Sequence, residues 1–264
     1  MNFLDLFSGI GGFALGLERA GMKVVAFCEI NHFCQKVLKK HWPQVPVYGD
    51  IRELSRARLV EDGVITEDES VDLICGGFPC QPFSVAGRRR GKEDNRYLWP
   101  EMLRVVAEIK PRWVIAENVY GILTVQGGMV FEEMCAGLEG EGYEVQAFVI
   151  PACAVNAPHR RDRVWVIAHS NLSGLQRLRE SGACSGKAPA WASAWEKDWV
   201  EVATRLCGVD DGISSRVDRL RALGNAVVPQ IVEIIGRAIM WAEKSYGEVA
   251  GKEVGSNGPP YHHS

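Results

Sequence analysis

One cysteine of this chain, in a short and rigid turn, is a candidate reactive residue. Cys80 lies within the segment Gly76–Ser84, which contains two glycines and two prolines and follows the apolar run Val71–Cys75. Such a turn at the carboxyl end of a parallel strand would lie on the edge where these sheets bind ligands. A thiol held there can act as a nucleophile if nearby positive charge favours its thiolate form. The alternative, which applies to each of the eight cysteines, is a small buried hydrophobic residue.

A glycine-rich turn near the N-terminus predicts a nucleotide site. The apolar run that ends at Phe7 continues into Ser8-Gly9-Ile10-Gly11-Gly12 and then into a helical pattern. Glycines allow a ligand to approach the backbone closely, and a helix N-terminus offers unpaired N–H groups. With Glu29 placed to hold ribose hydroxyls, this pattern fits an NAD-dependent dehydrogenase as well as a methyltransferase. Asp50 could accept a hydrogen bond from an adenine amino group, or could cap a helix.

Short apolar runs alternate with amphipathic stretches, which predicts an α/β protein with a mainly parallel sheet. The predicted strands are Asn2–Phe7, Lys23–Phe27, Val45–Tyr48, Val71–Cys75, Arg112–Ala116, Glu144–Ile150 and Arg163–Ala168. The predicted helices are Gly12–Ala20, Asn31–His41, Trp99–Ile109 and Met129–Glu139. These elements would place the glycine turn and the Cys80 turn on the same edge of one sheet.

The chain changes character after residue 169. Residues 170–212 are rich in Ser, Gly and Ala and contain Trp191, Trp195 and Trp199 at helical spacing. That spacing indicates a helix packed on the main domain through its indoles, or more weakly a surface that stacks on bases. A basic segment and a helix over Val227–Tyr246 make up residues 213–246, and the Gly-rich residues 247–264 are predicted to be disordered.

Composition restricts the class of protein. A hydrophobic content of 47% predicts a sizeable core, and the cysteine spacing fits neither a zinc site nor a disulfide framework, so no metal is expected. No apolar run approaches the ~18 residues of a membrane span, and the N-terminus lacks a basic leader. We therefore expect a cytoplasmic protein without membrane attachment.

The net charge of −3 gives no general sign of nucleic-acid binding. Basic residues nevertheless cluster in three places: Arg88, Arg89, Arg90, Lys92 and Arg96; Arg160, Arg161 and Arg163; and Arg216, Arg219 and Arg221. One such cluster is usually a solvated face, but three that a fold brings together would form a surface for phosphates.

The segment around Cys80 resembles the catalytic Pro-Cys motif of the cytosine-C5 DNA methyltransferase family. Further blocks resemble the family's motifs in the family's order: Asp5–Gly12, Glu29, Asp50, Glu117–Val119, Arg161–Arg163 and Gly224–Val227. Together the matches span roughly residues 3–169 and 216–236. The resemblance implies a Rossmann-like, S-adenosylmethionine-dependent methyltransferase fold. Residues 1–169 would form the catalytic and cofactor domain, and residues 170–212 a short target-recognition region, with the chain then returning to the catalytic domain.

The resemblance also implies a mechanism. The Cys80 thiolate adds to carbon 6 of cytosine, which makes carbon 5 able to attack the methyl group of S-adenosylmethionine and leaves S-adenosylhomocysteine. Glu117 would protonate ring nitrogen 3, for which burial must raise its pKa; taken alone, Glu117 could equally be a surface or capping acid. Arg163 would contact the base carbonyl, with Arg161 as a supporting partner.

The same resemblance assigns two groups of binding residues. The cofactor would be held by Phe7, Ser8, Gly9, Gly11, Gly12, Phe13, Glu29, Ile30, Asp50, Ile51, Phe78, Pro79, Leu98, Asn225 and Val227. Double-stranded DNA would be contacted by Ser84, Arg88, Arg89, Arg90 and Arg96. The loop Val85–Tyr97 would close over a base rotated out of the duplex, because the target carbon cannot be reached inside the stack. A monomer is expected, with a cognate restriction endonuclease as a further partner.

Three features depart from the family pattern. His159 stands where the arginine motif usually has Gln, and the loop after Cys80 is about one residue shorter. Roughly 40–45 residues replace a larger recognition domain, with Arg216–Arg221 as a remnant of its final motif. This resembles compact phage or prophage members and implies a short or loosely defined recognition site.

Two alternatives remain open at the level of sequence. One is an RNA cytosine-C5 methyltransferase on the same scaffold, although the Pro82–Gly87 run looks more like the DNA branch. The other is a dehydrogenase or a non-catalytic nucleotide-binding module, which would leave Cys80, Glu117 and the arginine pair unexplained.

Overall fold

The computed structural model describes residues 1–79, 97–170 and 222–254, with side chains described up to residue 244. Cys80, Ser84, the predicted DNA-contacting arginines and the tryptophan stripe lie outside these residues. The expectations for them therefore stay predictions.

A seven-stranded sheet forms the centre of the fold. Its strands are β1 (Asn2–Leu6), β2 (Lys23–Cys28), β3 (Val47–Tyr48), β4 (Leu73–Gly76), β5 (Trp113–Val119), β6 (Glu144–Pro151) and β7 (Asp162–His169). They are ordered β3-β2-β1-β4-β5-β7-β6. The first five are parallel, and β7 is antiparallel to both of its neighbours. The predicted α/β fold with a mainly parallel sheet is confirmed, as are all seven predicted strands to within a few residues.

Six α-helices accompany the sheet in the described part of the chain, besides a short helical stretch at residues 222–225. They are α1 (Gly12–Arg19), α2 (His32–His41), α3 (Arg56–Glu61), α4 (Trp99–Ile109), α5 (Met129–Gly140) and α6 (Pro229–Val254). The four helices predicted in the first 140 residues are confirmed. The sequence prediction omitted α3, a short helix capped by the Ser55 side chain, which accepts from the Arg58 amide at 3.1 Å.

The C-terminal helix differs from its prediction at both ends. It begins at Pro229 rather than Val227, because proline suits the first helical position and disfavours helix in the residue before it. It continues to Val254, so residues 247–254 are helical rather than part of the predicted disordered tail. These eight residues contain no proline and include Glu, Ala and Lys, which are good helix formers.

The sheet is covered on both faces, which is why its central strands read as continuous apolar runs. One face packs against α3, α4 and α5, and the other against α1, α2 and α6. Successive residues of a strand point to opposite faces. In β5, Val114 and Ala116 belong to the first cluster, whereas Trp113 and Ile115 belong to the second. The same alternation continues into the polar residues that end the strand.

Helix α6, near the C-terminus, packs closely against α1, near the N-terminus. A Cβ at Gly16 would lie 2.6 Å from the Pro229 carbonyl oxygen and 2.6 Å from Val232 Cβ, so the helices can approach only because Gly16 has no side chain. At the other end of the sheet, Glu243 accepts from Trp113 Nε1 at 2.8 Å and pairs with Arg112. By length and composition alone, the stretch Ala222–Lys244 could span a membrane; Ile231 and Val232 within it pack in the same cluster as α1.

Candidate active site

Three segments that the sequence predicted to be functional follow the ends of three adjacent strands. Leu6 of β1 is in register with Gly76 of β4, which is in register with Ala116 of β5. The glycine turn, the turn that enters Cys80 and Glu117 follow immediately after these residues. The glycine turn, the segment that leads towards Cys80, and Glu117 therefore leave the sheet at one edge, the edge at which parallel sheets bind ligands.

The loop between β1 and α1 is built for close approach to its backbone. Phe7, Gly9 and Gly11 adopt positive φ values of 53°, 54° and 86°, a region that favours glycine. The Ser8 hydroxyl donates to the Asp5 carbonyl at 2.6 Å and to the Cys28 carbonyl at 3.3 Å. Ser8 thus holds the loop against the sheet directly before α1, and the N-terminus of a helix favours an anionic or polar ligand group.

Glu29 ties this loop to the end of β2. Its Oε2 atom accepts from the Gly9 amide and its Oε1 atom from the Asn31 amide, both at 2.7 Å. A carboxylate offers about four acceptor sites, so two bonds leave capacity for ribose hydroxyls. Exposed Ile30 follows directly and provides an apolar surface next to these acceptors.

Asp50 makes the capping contacts that were the alternative to adenine recognition. Its Oδ1 atom accepts from the Arg52 amide at 3.0 Å, and the Arg52 guanidinium pairs with the carboxylate at 2.6 Å. The hydrogen bond from this guanidinium lowers the pKa of Asp50. Ile51 is buried at 3% exposure, so its side chain supports the turn from below.

Several other predicted cofactor residues are buried in the walls of the site. The Phe13 ring packs edge-on against Trp165 at 5.9 Å between centroids and is 3% exposed. Phe78 packs on Trp99 at 5.3 Å, next to Leu98. The side chain of Val227 approaches Gly12 so closely that a Cβ there would lie 2.8 Å from Val227 Cγ2.

Glu117 and Arg163 form a buried ion pair. The Arg163 Nε atom lies 3.0 Å from Glu117 Oε1, and the two side chains are 20% and 9% exposed. Burial raises the pKa of Glu117 from its ordinary value of 4.5 to about 7, although the positive charges of Arg163 and Arg161 oppose the shift. The carboxyl can therefore carry a proton near neutrality, as the catalytic prediction required.

The turn that leads to Cys80 contacts the end of β5 on both faces of the strand. A Cβ at Gly77 would lie 3.0 Å from Glu117 Oε2, so glycine lets this backbone run directly beside the carboxyl. On the opposite face of the strand, Asn118 Nδ2 donates to the Phe78 carbonyl at 3.1 Å, and Asn118 Oδ1 accepts from the Val119 amide. The sequence assigned no role to Asn118; its place beside Glu117 in an apolar strand was the available signal.

Arg161 does not pair with the carboxyl that Arg163 holds. Its NH2 group donates to the backbone carbonyls of Gly224 at 2.7 Å and Ala226 at 2.8 Å. The backbone φ angle of Arg161 is +38°, which is unusual for a residue other than glycine. Arg161, the predicted supporting partner of Arg163, thus holds the segment that precedes α6.

A buried acid beneath the glycine loop was also missed. Asp5 is fully buried and faces the Ala14 amide and the Cys75 thiol, without a well-formed hydrogen bond to either. Burial raises the pKa of Asp5 well above its usual range. An acid inside the apolar run of β1 was the signal, because such a position is unfavourable for a charged group. Among the residues with described side chains, no group of three acids, histidines or cysteines could hold a metal ion.

Known proteins are similar to the larger part of this chain. The family model for C-5 cytosine-specific DNA methylase matches residues 1–191. Type II methyltransferase M.HhaI from Haemophilus parahaemolyticus is 31% identical over 180 residues, covering 68% of this chain and 52% of that protein. M.Eco47II from Escherichia coli is 37% identical over 171 residues, covering 64% of this chain and 39% of its own length. The chain thus spans about half or less of the length of these relatives.

Two solved structures share the fold. A DNA modification methyltransferase encoded within an E. coli prophage, described as putative, superposes with a TM-score of 0.55 at 30% identity, covering 64% of this chain and 46% of the other. The Spodoptera frugiperda DNMT2 mutant superposes with a TM-score of 0.65 at 16% identity, covering 91% and 99%. The second likeness, at that identity, concerns the fold alone.

Proposed function

Because the chain belongs to the C-5 cytosine-specific DNA methylase family, we propose that it transfers a methyl group from S-adenosylmethionine to carbon 5 of cytosine in DNA. The observation that carries this proposal is the meeting of three features at one sheet edge. These are the glycine loop, the turn that enters Cys80, and the buried pair of Glu117 and Arg163.

The residues around the glycine loop fit S-adenosylmethionine. The start of α1 has no side-chain cap at Gly11, Glu29 retains acceptor capacity for ribose hydroxyls, and Ile30 offers an exposed apolar face. Asp50 can accept from an adenine amino group only beside Arg52, which occupies both of its carboxylate oxygens. When bound, S-adenosylmethionine supplies an electrophilic methyl group and departs as S-adenosylhomocysteine.

Each reacting group of the chain has a defined task. The Cys80 thiolate forms a bond to carbon 6 while Glu117 gives its proton to ring nitrogen 3, which places an electron pair on carbon 5. After carbon 5 has accepted the methyl group, a base removes its proton, the sulfur–carbon bond breaks and nitrogen 3 returns its proton. The raised pKa of Glu117 suits both proton transfers near pH 7. Arg163 holds the carboxyl from one side and can donate to the base carbonyl from its remaining N–H groups.

We propose double-stranded DNA as the substrate and a monomer as the acting form. Residues 170–212 would supply the recognition contacts, and the short segment implies a short recognition site. The relatives are named type II methyltransferases, so a restriction endonuclease of the same specificity would be the biological partner. Action on DNA also supports a cytoplasmic location.

The decisive experiment traps the bond between protein and base. DNA amplified with 5-fluorodeoxycytidine triphosphate presents the trap in every sequence context, because fluorine on carbon 5 blocks the final elimination. We expect wild-type protein with S-adenosylmethionine to form a denaturant-stable adduct and Cys80→Ala to form none. Cys153→Ala is the matched control, because this cysteine is exposed and lies outside the proposed chemistry.

A second arm compares methyl transfer to duplex DNA with transfer to tRNA. Transfer to tRNA alone would overturn the DNA assignment and support the RNA alternative. If folded wild-type protein methylates ordinary duplex DNA but gives no adduct with the fluorinated DNA, the covalent mechanism is wrong.

A further inference from the structure

The segment 224–227 contacts both the proposed cofactor site and Arg161, which lies near the proposed base pocket. On one side, Val227 lies against Gly12 at the start of α1, where the proposed cofactor would bind. On the other side, the carbonyls of Gly224 and Ala226 accept from the Arg161 guanidinium at 2.7 Å and 2.8 Å. Ala226 also donates its amide to the Ala222 carbonyl at 3.0 Å, which ends the helical stretch 222–225 just before α6.

Arg161 in turn belongs to the pocket of the target base. It is two residues from Arg163, which pairs with Glu117, and the charges of Arg161, Arg163 and Glu117 act on one another. The bonds of Arg161 to carbonyls are charge-assisted, and such bonds are stronger than neutral ones. Arg161 has a positive φ, and its two bonds tie the residue before β7 to the segment 224–227.

We propose that Arg161 is a positioning residue that couples cofactor binding to the geometry of the base pocket through the segment 224–227. This rests on the proposed function. Filling the cofactor site presses on Gly12 and Val227, and Arg161 transmits that constraint to the strand end that bears Arg163. By the same linkage, an ordered base pocket strengthens cofactor binding.

A double-mutant cycle tests the coupling. Affinity for S-adenosylhomocysteine is measured by calorimetry without DNA for wild type, Arg161→Ala, Val227→Ala and the double variant. We expect Arg161→Ala to weaken binding by about tenfold, within the usual range of coupling between sites, although its bonds are to the segment and not to the cofactor. The double variant should bind about as weakly as the weaker single variant, because both changes break the same link. Additive losses would overturn the proposal.

Two further variants separate coupling from general damage. Arg160→Ala is the matched control, because Arg160 is exposed and pairs only with Asp162 among its described side-chain partners; its cofactor affinity should equal that of wild type. Arg161→Lys keeps the charge but lacks the planar fork that reaches two carbonyls, so it should show an intermediate loss. It also replaces Arg161→Ala if that variant does not fold.

Turnover at saturating S-adenosylmethionine provides the second readout. If Arg161 also orders the base pocket, kcat of the Arg161 variants stays below wild type even when the cofactor site is full. Complete recovery of kcat at saturation would limit Arg161 to the wall of the cofactor site and refute the coupling. If wild type itself does not bind S-adenosylhomocysteine, the proposed function fails rather than this inference.

Discussion

Replacing Glu117 with glutamine should change how the stability of the protein depends on pH. Burial raises the pKa of Glu117 in the folded chain to about 7, against an ordinary value of 4.5. Below pH 4.5 the carboxyl is neutral in both folded and unfolded chains. As the pH rises towards 7, the unfolded chain releases this proton but the folded chain retains it, so the free energy of unfolding falls. Above pH 7 both forms are ionised and the loss is complete.

The size of the loss follows from the two pKa values. Each pH unit between them corresponds to about 1.4 kcal/mol, so ionised Glu117 makes the folded chain about 3 kcal/mol less stable at pH 8 than a neutral carboxyl would. Glutamine stays neutral at every pH and has nearly the same shape. The difference in unfolding free energy between Glu117→Gln and wild type should therefore grow by about 3 kcal/mol from pH 4.5 to pH 8.

Urea denaturation at a series of pH values measures this difference, because other titrating groups contribute equally to both proteins. Glu132→Gln is the matched control, since Glu132 is exposed on α5 and should give a curve parallel to wild type. Parallel curves for Glu117→Gln as well would show that its carboxyl ionises as in water, and the argument for a proton donor at neutral pH would fail. Methyl transfer by Glu117→Gln should also be strongly reduced, since glutamine cannot give a proton to the ring.

Two further predictions concern positions that the structure identified. Asn118→Ala removes the bond to the Phe78 carbonyl and loosens the turn that enters Cys80, so we expect kcat at saturating S-adenosylmethionine to fall about tenfold or more; unchanged kcat would show that the turn is held by other contacts. Gly16→Ala forces α1 and α6 apart and should lower the free energy of unfolding by about 1–3 kcal/mol in urea denaturation. Its control is Gly140→Ala, where a Cβ would meet no atom within 4 Å, and an equal loss in both variants would contradict the packing argument.

Local sequence determined the parts of the site that consist of consecutive residues. The glycine loop, the turn that enters Cys80 and the apolar strands before them follow from glycine and proline chemistry and from hydrophobic pattern, which act over a few residues. Parallel strands then require the two turns to share an edge. For this reason the sequence alone predicted the α/β fold, the seven strands and the approximate place of the site.

The tertiary structure alone decided how the functional groups behave. Whether Glu117 is a solvated acid or a proton donor depends on burial against a second strand, which no local pattern specifies. The partners of Arg161 are more than 60 residues away along the chain, and the partner of Asn118 is 40 residues away. Hydrogen bonds and electrostatic fields depend on distance in space, and the sequence fixes that distance only through the packing of the whole sheet and its helices.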